Sequence, residues 1–355
     1  MISLDQAKAV RQGESLDAGA IAAYLKKRFP DLNGRVTVRQ FHSGFSNLTY
    51  LIGVGETELV LRRPPFGKKA KTAHDMSREY RILSALKPVF PHVPQPLAYC
   101  DDPTVMDVPF YVMERLHGVI LRKEPPEGLV LDAPAASRLC HEWVEVLGDL
   151  HELDYRGCGL ADLGNPDGFV ARQVRGWSKR YRDARTDDVP DFETVIAWLS
   201  DGMPPDNSKP ALVHNDYKFD NVILAPADLT RIIGVLDWEM ATIGDPLVDL
   251  GASLGYWVEP GDSDEMKLIR TLPTLCPGML TRRQIVALYE KKTGAPIEDF
   301  AWYYCFGLFR LAVIAQQIYY RFFHGQTTDT RFGMLGFAVG ILEKAAVRVI
   351  ETGEY

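Results

Sequence analysis

Leu212-Val213-His214-Asn215-Asp216-Tyr217-Lys218-Phe219-Asp220-Asn221 is the stretch that decides how this chain is read. An apolar strand delivers a polar loop. Two strand-like runs follow at once, Val222-Ile223-Leu224 and Arg231 to Leu236, on either side of the turn-rich Pro226-Ala227-Asp228. That pattern predicts a β-hairpin, and its second strand runs into Val235-Leu236-Asp237-Trp238-Glu239. Antiparallel pairing then sets Asn221 and Asp237 near one another at the two bases of the hairpin, although sixteen positions separate them. A carboxylate and an amide oxygen are hard ligands of the kind magnesium takes. Asp216, five residues before Asn221, is spaced to face a nucleophile. Together the three side chains suit magnesium-assisted phosphoryl transfer.

Outward from this stretch the two sides differ. Towards the N-terminus a helix is predicted over 17–29, with Ser15 or Asp17 as cap and Ile21, Tyr24, Leu25 and Phe29 at helical spacing. Val36-Thr37-Val38, Leu48 to Ile52 and Leu59-Val60-Leu61-Arg62 then read as strands, with Ser43-Gly44-Phe45-Ser46-Asn47 as the first connection. A helix over 74–86 presents Met76, Tyr80 and Leu83, and Glu79 lies at the edge of that face. Strands near 96–100 and 109–114 complete a small sheet, with a hinge near Met113-Glu114-Arg115. The rest reads as helical, over about 134–154, 166–184, 190–200, 244–256, 281–293, 299–323 and 330–351. The predicted domains are residues 1–112, sheet-rich, and 113–355, larger and helical.

Composition bounds the function. The 355 residues carry a formal net charge of −7, which argues against a dedicated nucleic-acid binder. Five cysteines without a C-x-x-C pair exclude a zinc ribbon and fit a reducing, cytoplasmic setting. Met1 to Gln12 has no apolar core of a secretory signal. The greasy stretch Trp302 to Phe323 is interrupted by Arg310, Gln316, Gln317 and Arg321, so no membrane partner is expected. Gly53-Val54-Gly55 fails the dinucleotide fingerprint, and Gly67-Lys68-Lys69 fails the P-loop.

The order His214-x-Asp216-x-x-x-x-Asn221, then Asp237, then Gly244-Asp245-Pro246-Leu247-Val248-Asp249-Leu250, resembles the protein-kinase-like fold in its aminoglycoside phosphotransferase and choline kinase branch. The nearest likeness is to the phosphotransferase domains fused to some acyl-CoA dehydrogenases, which share the His-Asn-Asp-Tyr-Lys loop and the Leu-Asp-Trp-Glu segment. The likeness spans about residues 35–255. It implies an α+β, two-lobed fold, with a small antiparallel-sheet N-lobe and a larger helical C-lobe. It implies a kinase using ATP and Mg2+. Asp216 would accept or orient the acceptor hydroxyl. Asn221 and Asp237 would hold the metal, and Ser43, Gly44, Phe45, Ser46 and Asn47 would cover the phosphates. Arg62 would meet Glu79, Lys218 would reach the γ-phosphate, and the backbone from Phe110 to Leu116, with Met113 and Glu114, would bind adenine. His214 and Asp249 would brace the loop.

Two departures stand out. Arg62 replaces the strand lysine of many kinases, as in choline kinases, and Trp238-Glu239 replaces the Phe-Gly of protein kinases. Arginine stays charged and grips phosphate in a bidentate way. Only eleven residues separate Asp237 from Asp249, too few for a segment on which a protein substrate lies, so a small hydroxyl acceptor is expected. Bland readings stay open beside these: Glu79 as a solvated helix residue, residues 43–47 as a mere turn, Lys218 as surface charge. Arg310 in an apolar helix needs an anionic partner, either a carboxylate such as Asp249 or Glu259, or an anionic substrate. The rival functions are a nucleotide-binding pseudokinase, for which Arg62 is the one support, and a protein kinase. Aminoglycosides, choline-like alcohols, homoserine-like amino alcohols and hydroxy fatty acids or their CoA esters are all admissible acceptors, with hydroxyacyl compounds favoured.

Overall fold

The computed structural model describes residues 6–42, 47–66, 75–126, 128–207, 209–327 and 329–355. Ser43, Gly44, Phe45 and Ser46 of the expected phosphate loop, and Gly67-Lys68-Lys69, lie outside the described residues. In chain order the elements are α1 (Ala18–Arg28), β1 (Val36–Phe41), β2 (Leu48–Val54), β3 (Thr57–Arg63), α2 (Met76–Leu86), β4 (Pro96–Cys100) and β5 (Phe110–Glu114). Then come α3 (Ala133–Glu152), α4 (Phe169–Ala184), α5 (Glu193–Asp201), β6 (Ala211–Val213), β7 (Val222–Ala225), β8 (Asp228–Val235) and β9 (Thr242–Gly244). The last are α6 (Pro246–Leu254), α7 (Asp264–Ile269), α8 (Arg282–Thr293), α9 (Ala301–Phe323) and α10 (Leu335–Thr352). No described helix is long and apolar enough to cross a membrane, and all five cysteines are free thiols.

The chain divides into two compact units: a sheet unit of Met1–Ile120 with Val222–Glu239, and a helical unit of Leu121–Asn221 with Met240–Tyr355. This differs from a boundary at 112/113 in two ways. The sheet unit continues to Ile120, and it claims the hairpin that the sequence reading put in the helical part. Main-chain pairing is the reason. Val119 bridges Leu224, and the Val235 amide donates to the His92 carbonyl at 2.7 Å. Gly118 permits that approach, because a Cβ there would stand 2.4 Å from the Leu224 carbonyl oxygen.

In the sheet unit five antiparallel strands run in the order β1-β2-β3-β5-β4. Asp17 caps α1 by accepting from the Gly19 and Ala20 amides, and Asp75 caps α2 in the same way through Ser77 and Arg78. Leu59 and Leu61 join Ile21 and Leu25 of α1 in one buried core. Strand alternation therefore turns Val60 and Arg62 to the opposite face, where Arg62 meets α2. Met113 and Glu114, read as hinge residues, are part of β5, and Met113 is buried. The β7–β8 hairpin pairs Val222 with Val235 and Ala225 with Asp228, so its turn is Pro226-Ala227 alone.

In the helical unit β6 pairs with β9, Leu212 opposite Ile243. The predicted helix at 244–256 is thus preceded by a strand and begins at Pro246 behind the cap of Asp245. Three more helices depart from prediction. The helices predicted from 166 and 190 begin at Phe169 and Glu193, behind left-handed Gly168 and Phe192. Residues 330–334 form a separate 3₁₀ turn before α10. α7, capped by Ser263, lacked enough apolar periodicity to be foreseen. α6 and α9 cross at glycines: a Cβ on Gly307 would stand 2.0 Å from the Gly251 carbonyl oxygen. This close crossing sets Asp249 on α6 and Arg310 on α9 in the same unit as the loop that follows β6.

Candidate active site

In the helical unit, β6 ends in the loop His214–Asn221, and Asp249 organises its start. The fully buried Asp249 carboxylate accepts the His214 amide at 2.6 Å and the Asn215 amide at 2.7 Å. His151 donates to it through Nε2 at 3.1 Å, and His151 Nδ1 lies 2.6 Å from the Tyr289 hydroxyl. Burial pushes the Asp249 carboxyl up, but the His151 hydrogen bond and charge, with His214, outweigh it and hold it below the usual range. Asn215 then takes a left-handed turn, φ +65°. It is pinned there by donating to the Met240 carbonyl at 3.1 Å and by accepting Arg310 Nη1 on its amide oxygen at 3.0 Å. The Asp216 amide donates to His214 Nδ1 at 3.1 Å, so this imidazole nitrogen supports the backbone.

The Asp216 side chain is 20% exposed and heavily engaged. Lys218 Nζ donates to both its oxygens, at 2.6 and 2.7 Å. Asn221 donates its amide nitrogen to Asp216 Oδ2 at 2.7 Å, which aims the Asn221 amide oxygen away from Asp216. Lys218 also sits 4.9 Å over the Tyr256 ring, and burial works against its charge while Tyr256, Asp216 and Asp220 raise it. Asp220, 3.9 Å from Lys218, is lifted by burial to about 6, with Lys218 pulling the other way.

In the sheet unit a second constellation forms around Arg62. Its Nη2 donates to Asp237 Oδ1 at 2.9 Å, and its Nε faces Glu79 Oε2 at 3.4 Å. Glu79, 1% exposed, is no solvated helix residue. Its other oxygen accepts the Trp238 amide at 3.3 Å. Burial pushes the Glu79 carboxyl up, offset in part by Arg62. Burial likewise opposes the Arg62 charge, but Glu79, Tyr111 and Asp237 raise it well above its ordinary value. Asp237 has φ +67° and a side chain 27% exposed. Asn47 donates to Glu239 Oε2 at 2.7 Å. Arg63 turns to the other face, against Asp107 and the Phe66 ring.

Some expected roles meet a different placement. The Glu114 amide already donates to Gln95 O, and its carboxylate takes Gln95 N and Lys87. Arg310 is not paired to Asp249 or Glu259. Asp249 is filled by backbone amides and His151, and Glu259 faces Arg282 at 3.5 Å. Arg310 instead rests on Asn215, on Met240 Sδ at 3.9 Å and against the Trp177 ring. Of the aromatic set Tyr256, Trp257, Trp302, Tyr303 and Tyr304, Tyr256 is the member found over a loop side chain, and Trp257 and Trp302 donate to backbone carbonyls in the core. Sequence reasoning missed His151, Asn215 and Asp220. Asp220 stood inside the quoted stretch, where a second carboxylate beside Lys218 was the available signal; His151 lies 98 positions from its partner and gave none.

A catalytic-type loop with Asp216 and Asn221, and a strand cation facing a helix glutamate and an aspartate, define the protein-kinase-like class of α+β folds. The chain belongs to the phosphotransferase enzyme family, whose model matches residues 37–275. It is 31% identical over 331 residues to chicken (Gallus gallus) acyl-CoA dehydrogenase family member 11, a match covering 90% of this chain and 41% of that protein. The chain thus spans less than half the length of that relative. Among solved structures it is similar to one from Ralstonia eutropha provisionally described as an aminoglycoside phosphotransferase, with TM-score 0.79, 28% identity and coverage of 94% of this chain and 98% of that one. The fold is also that of choline kinase from Cryptosporidium parvum, with TM-score 0.65, 13% identity and coverage of 95% and 97%.

Proposed function

We propose that this chain transfers the γ-phosphoryl group of ATP, with magnesium, to the hydroxyl of a small molecule by direct in-line displacement. The bond between the acceptor oxygen and phosphorus forms, the bond from phosphorus to the β–γ bridging oxygen breaks, ADP leaves, and the hydroxyl proton passes to Asp216. The observation that carries this reading is Asp216 held on one loop by Lys218 and Asn221, with the start of that loop, at His214 and Asn215, braced by Asp249. Lys218 neutralises Asp216 in this structure. On nucleotide binding we expect it to turn to the γ-phosphate and free a carboxylate lone pair for the hydroxyl. Asn47, with residues 43–46, would cover the phosphates, and the β5 backbone at Met113 and Glu114 would offer carbonyl oxygen to adenine.

Asn221 and Asp237 are the residues that would hold magnesium. Among the described residues no cluster of three or more His, Cys, Asp or Glu could hold a metal. Magnesium takes one or two protein ligands and completes its shell with phosphate and water. The donor set fits: Asn221 spends its nitrogen on Asp216 and keeps its oxygen for a cation, and Asp237 is a partly exposed carboxylate now facing Arg62. Bound there, the ion would neutralise charge on the phosphates.

The dehydrogenase name of the relatives favours a hydroxyacyl acceptor and a cytoplasmic metabolic setting over an antibiotic. Arg62 faces Glu79 as a strand lysine would, which weakens the ground for a pseudokinase. The test is magnesium-ATP with a panel of hydroxyacyl-CoAs, hydroxy acids, choline, homoserine and aminoglycosides, read by mass spectrometry for a phosphate adduct. Asp216→Asn should bind nucleotide and lose turnover by about 10²–10⁴-fold. Unchanged turnover in that variant would remove Asp216 from the role.

A further inference from the structure

Arg310, Trp177 and Arg180 come together in the helical unit, apart from the groups that the transfer step uses. The Arg310 guanidinium carbon stands 5.0 Å from the Trp177 ring centroid, and that of Arg180 stands 4.7 Å from the same ring. Two guanidinium groups thus share one indole. Arg310 is 3% exposed, and its partners are neutral: the Asn215 amide oxygen and carbonyl, and Met240 Sδ. Arg180 has no ion pair among the described residues. Its neighbours on α4 do: Lys179 meets Asp183 at 2.6 Å, and Arg182 meets Glu193 at 2.6 Å.

A buried cation without an anionic partner is costly, and a second cation on the same ring adds repulsion. Arg180 opposes the Arg310 charge, while Asp216 supports it ahead of Asp249, both through space and not in contact. A chain of net charge −7 has carboxylates in excess, yet among the described residues none is ion-paired with either guanidinium. A guanidinium lying on an aromatic face keeps its edge N–H groups for a planar or tetrahedral oxyanion. We infer that Arg310 and Arg180, stacked on Trp177, form an anion subsite for the acceptor, so that the acceptor is a hydroxyl compound bearing a carboxylate or a phosphate. This rests on the phosphotransferase reading. It places the acceptor's anion near Asp216, and so favours a short spacing between the reacting hydroxyl and the charge.

The full chain, with magnesium and a non-hydrolysable ATP analogue, is titrated calorimetrically with matched probes: hydroxybutyrate against butanediol, and glycerol phosphate against glycerol. At least one anion should bind about ten- to a hundredfold more tightly than its neutral partner, the worth of one charge-assisted hydrogen bond. Whichever pair shows the preference identifies carboxylate or phosphate. The preference should collapse in Arg180→Gln, an exposed change, and persist in Lys179→Gln, which removes the same charge one residue away. Equal binding of charged and neutral probes overturns the subsite, as does a preference that survives Arg180→Gln or falls equally in Lys179→Gln. Formation of a phosphate adduct from magnesium-ATP and the acceptor panel by the wild type is read separately. No adduct with an intact anion preference defeats the phosphotransferase reading and leaves the subsite; an adduct without any anion preference defeats the subsite alone.

Discussion

The two constellations solve different problems. In the helical unit a single buried carboxylate, Asp249, holds backbone: its partners are two amides and an imidazole, and its task is shape. In the sheet unit Arg62, Glu79 and Asp237 hold charge, cation between two anions, and their backbone is set by strand register and a helix cap. Breaking the first removes geometry. Changing the second alters how charge is shared on a frame that stays in place. A loop that must aim Asp216 needs the former, and a site that must receive phosphates and a metal needs the latter.

The largest effect should come from Asp249→Ala. It leaves the His214 and Asn215 amides and His151 without their acceptor, a loss of about 3–5 kcal/mol by analogy with breaking a buried charged pair. Denaturant titration measures it, and hydrogen exchange of peptides covering 211–221 should show the loop deprotected. A loss below about 1 kcal/mol, with protection kept, would mean that Asn215 is held by Arg310 and Met240 instead, and the contrast between the units would fail.

Arg62→Lys should cost less. The ammonium keeps the charge, but it is a point donor and does not span Glu79 and Asp237 as the planar guanidinium does, so about 1–2 kcal/mol is expected. The sharper readout is the KM for ATP, which should rise more than kcat falls if Arg62 also meets phosphate. A fall in kcat alone would assign Arg62 to shaping Asp237.

What could be read from sequence follows the same division. The sheet unit's constellation was legible in part: alternation put Arg62 and Arg63 on opposite faces and helical spacing put Glu79 at the edge of the apolar face of α2, whereas the pairing of Arg62 with Glu79 came from the family resemblance and that of Arg62 with Asp237 was not foreseen. The hairpin was legible through two apolar runs around a turn. The partner of Arg310 was not. A buried cation demands compensation, and sequence named a carboxylate or an anionic substrate for it, whereas in the structure Arg310 donates to Asn215 on the loop after β6. His151 and Tyr289 escaped because the contact that gives each its meaning lies far away in the chain. The helix expected at 244–256 began too early because Thr242–Gly244 pairs with β6, and tertiary pairing overrode a helical pattern.

The smallest expected effect concerns Asp220, and its sign sets it apart from Asp249 within the helical unit. Burial lifts this carboxyl from 3.8 to about 6, with Lys218 opposing. An acid with a raised folded value binds its proton more tightly in the folded state than in the unfolded one. Stability therefore falls as pH rises from about 4 to about 6, and above that the full cost of a buried, ionised Asp220 is present. Asp249 has the opposite sign, since its folded value is depressed and its contribution is lost only as pH falls through that value. Asp220→Asn should consequently be more stable than wild type above about pH 6, with the difference fading towards pH 4. Paired melting curves across that window measure it. A difference that stays constant with pH would show that Lys218 keeps Asp220 ionised throughout. Lys218 would then be anchored to both carboxylates, and its expected turn towards the γ-phosphate would have to break two ion pairs.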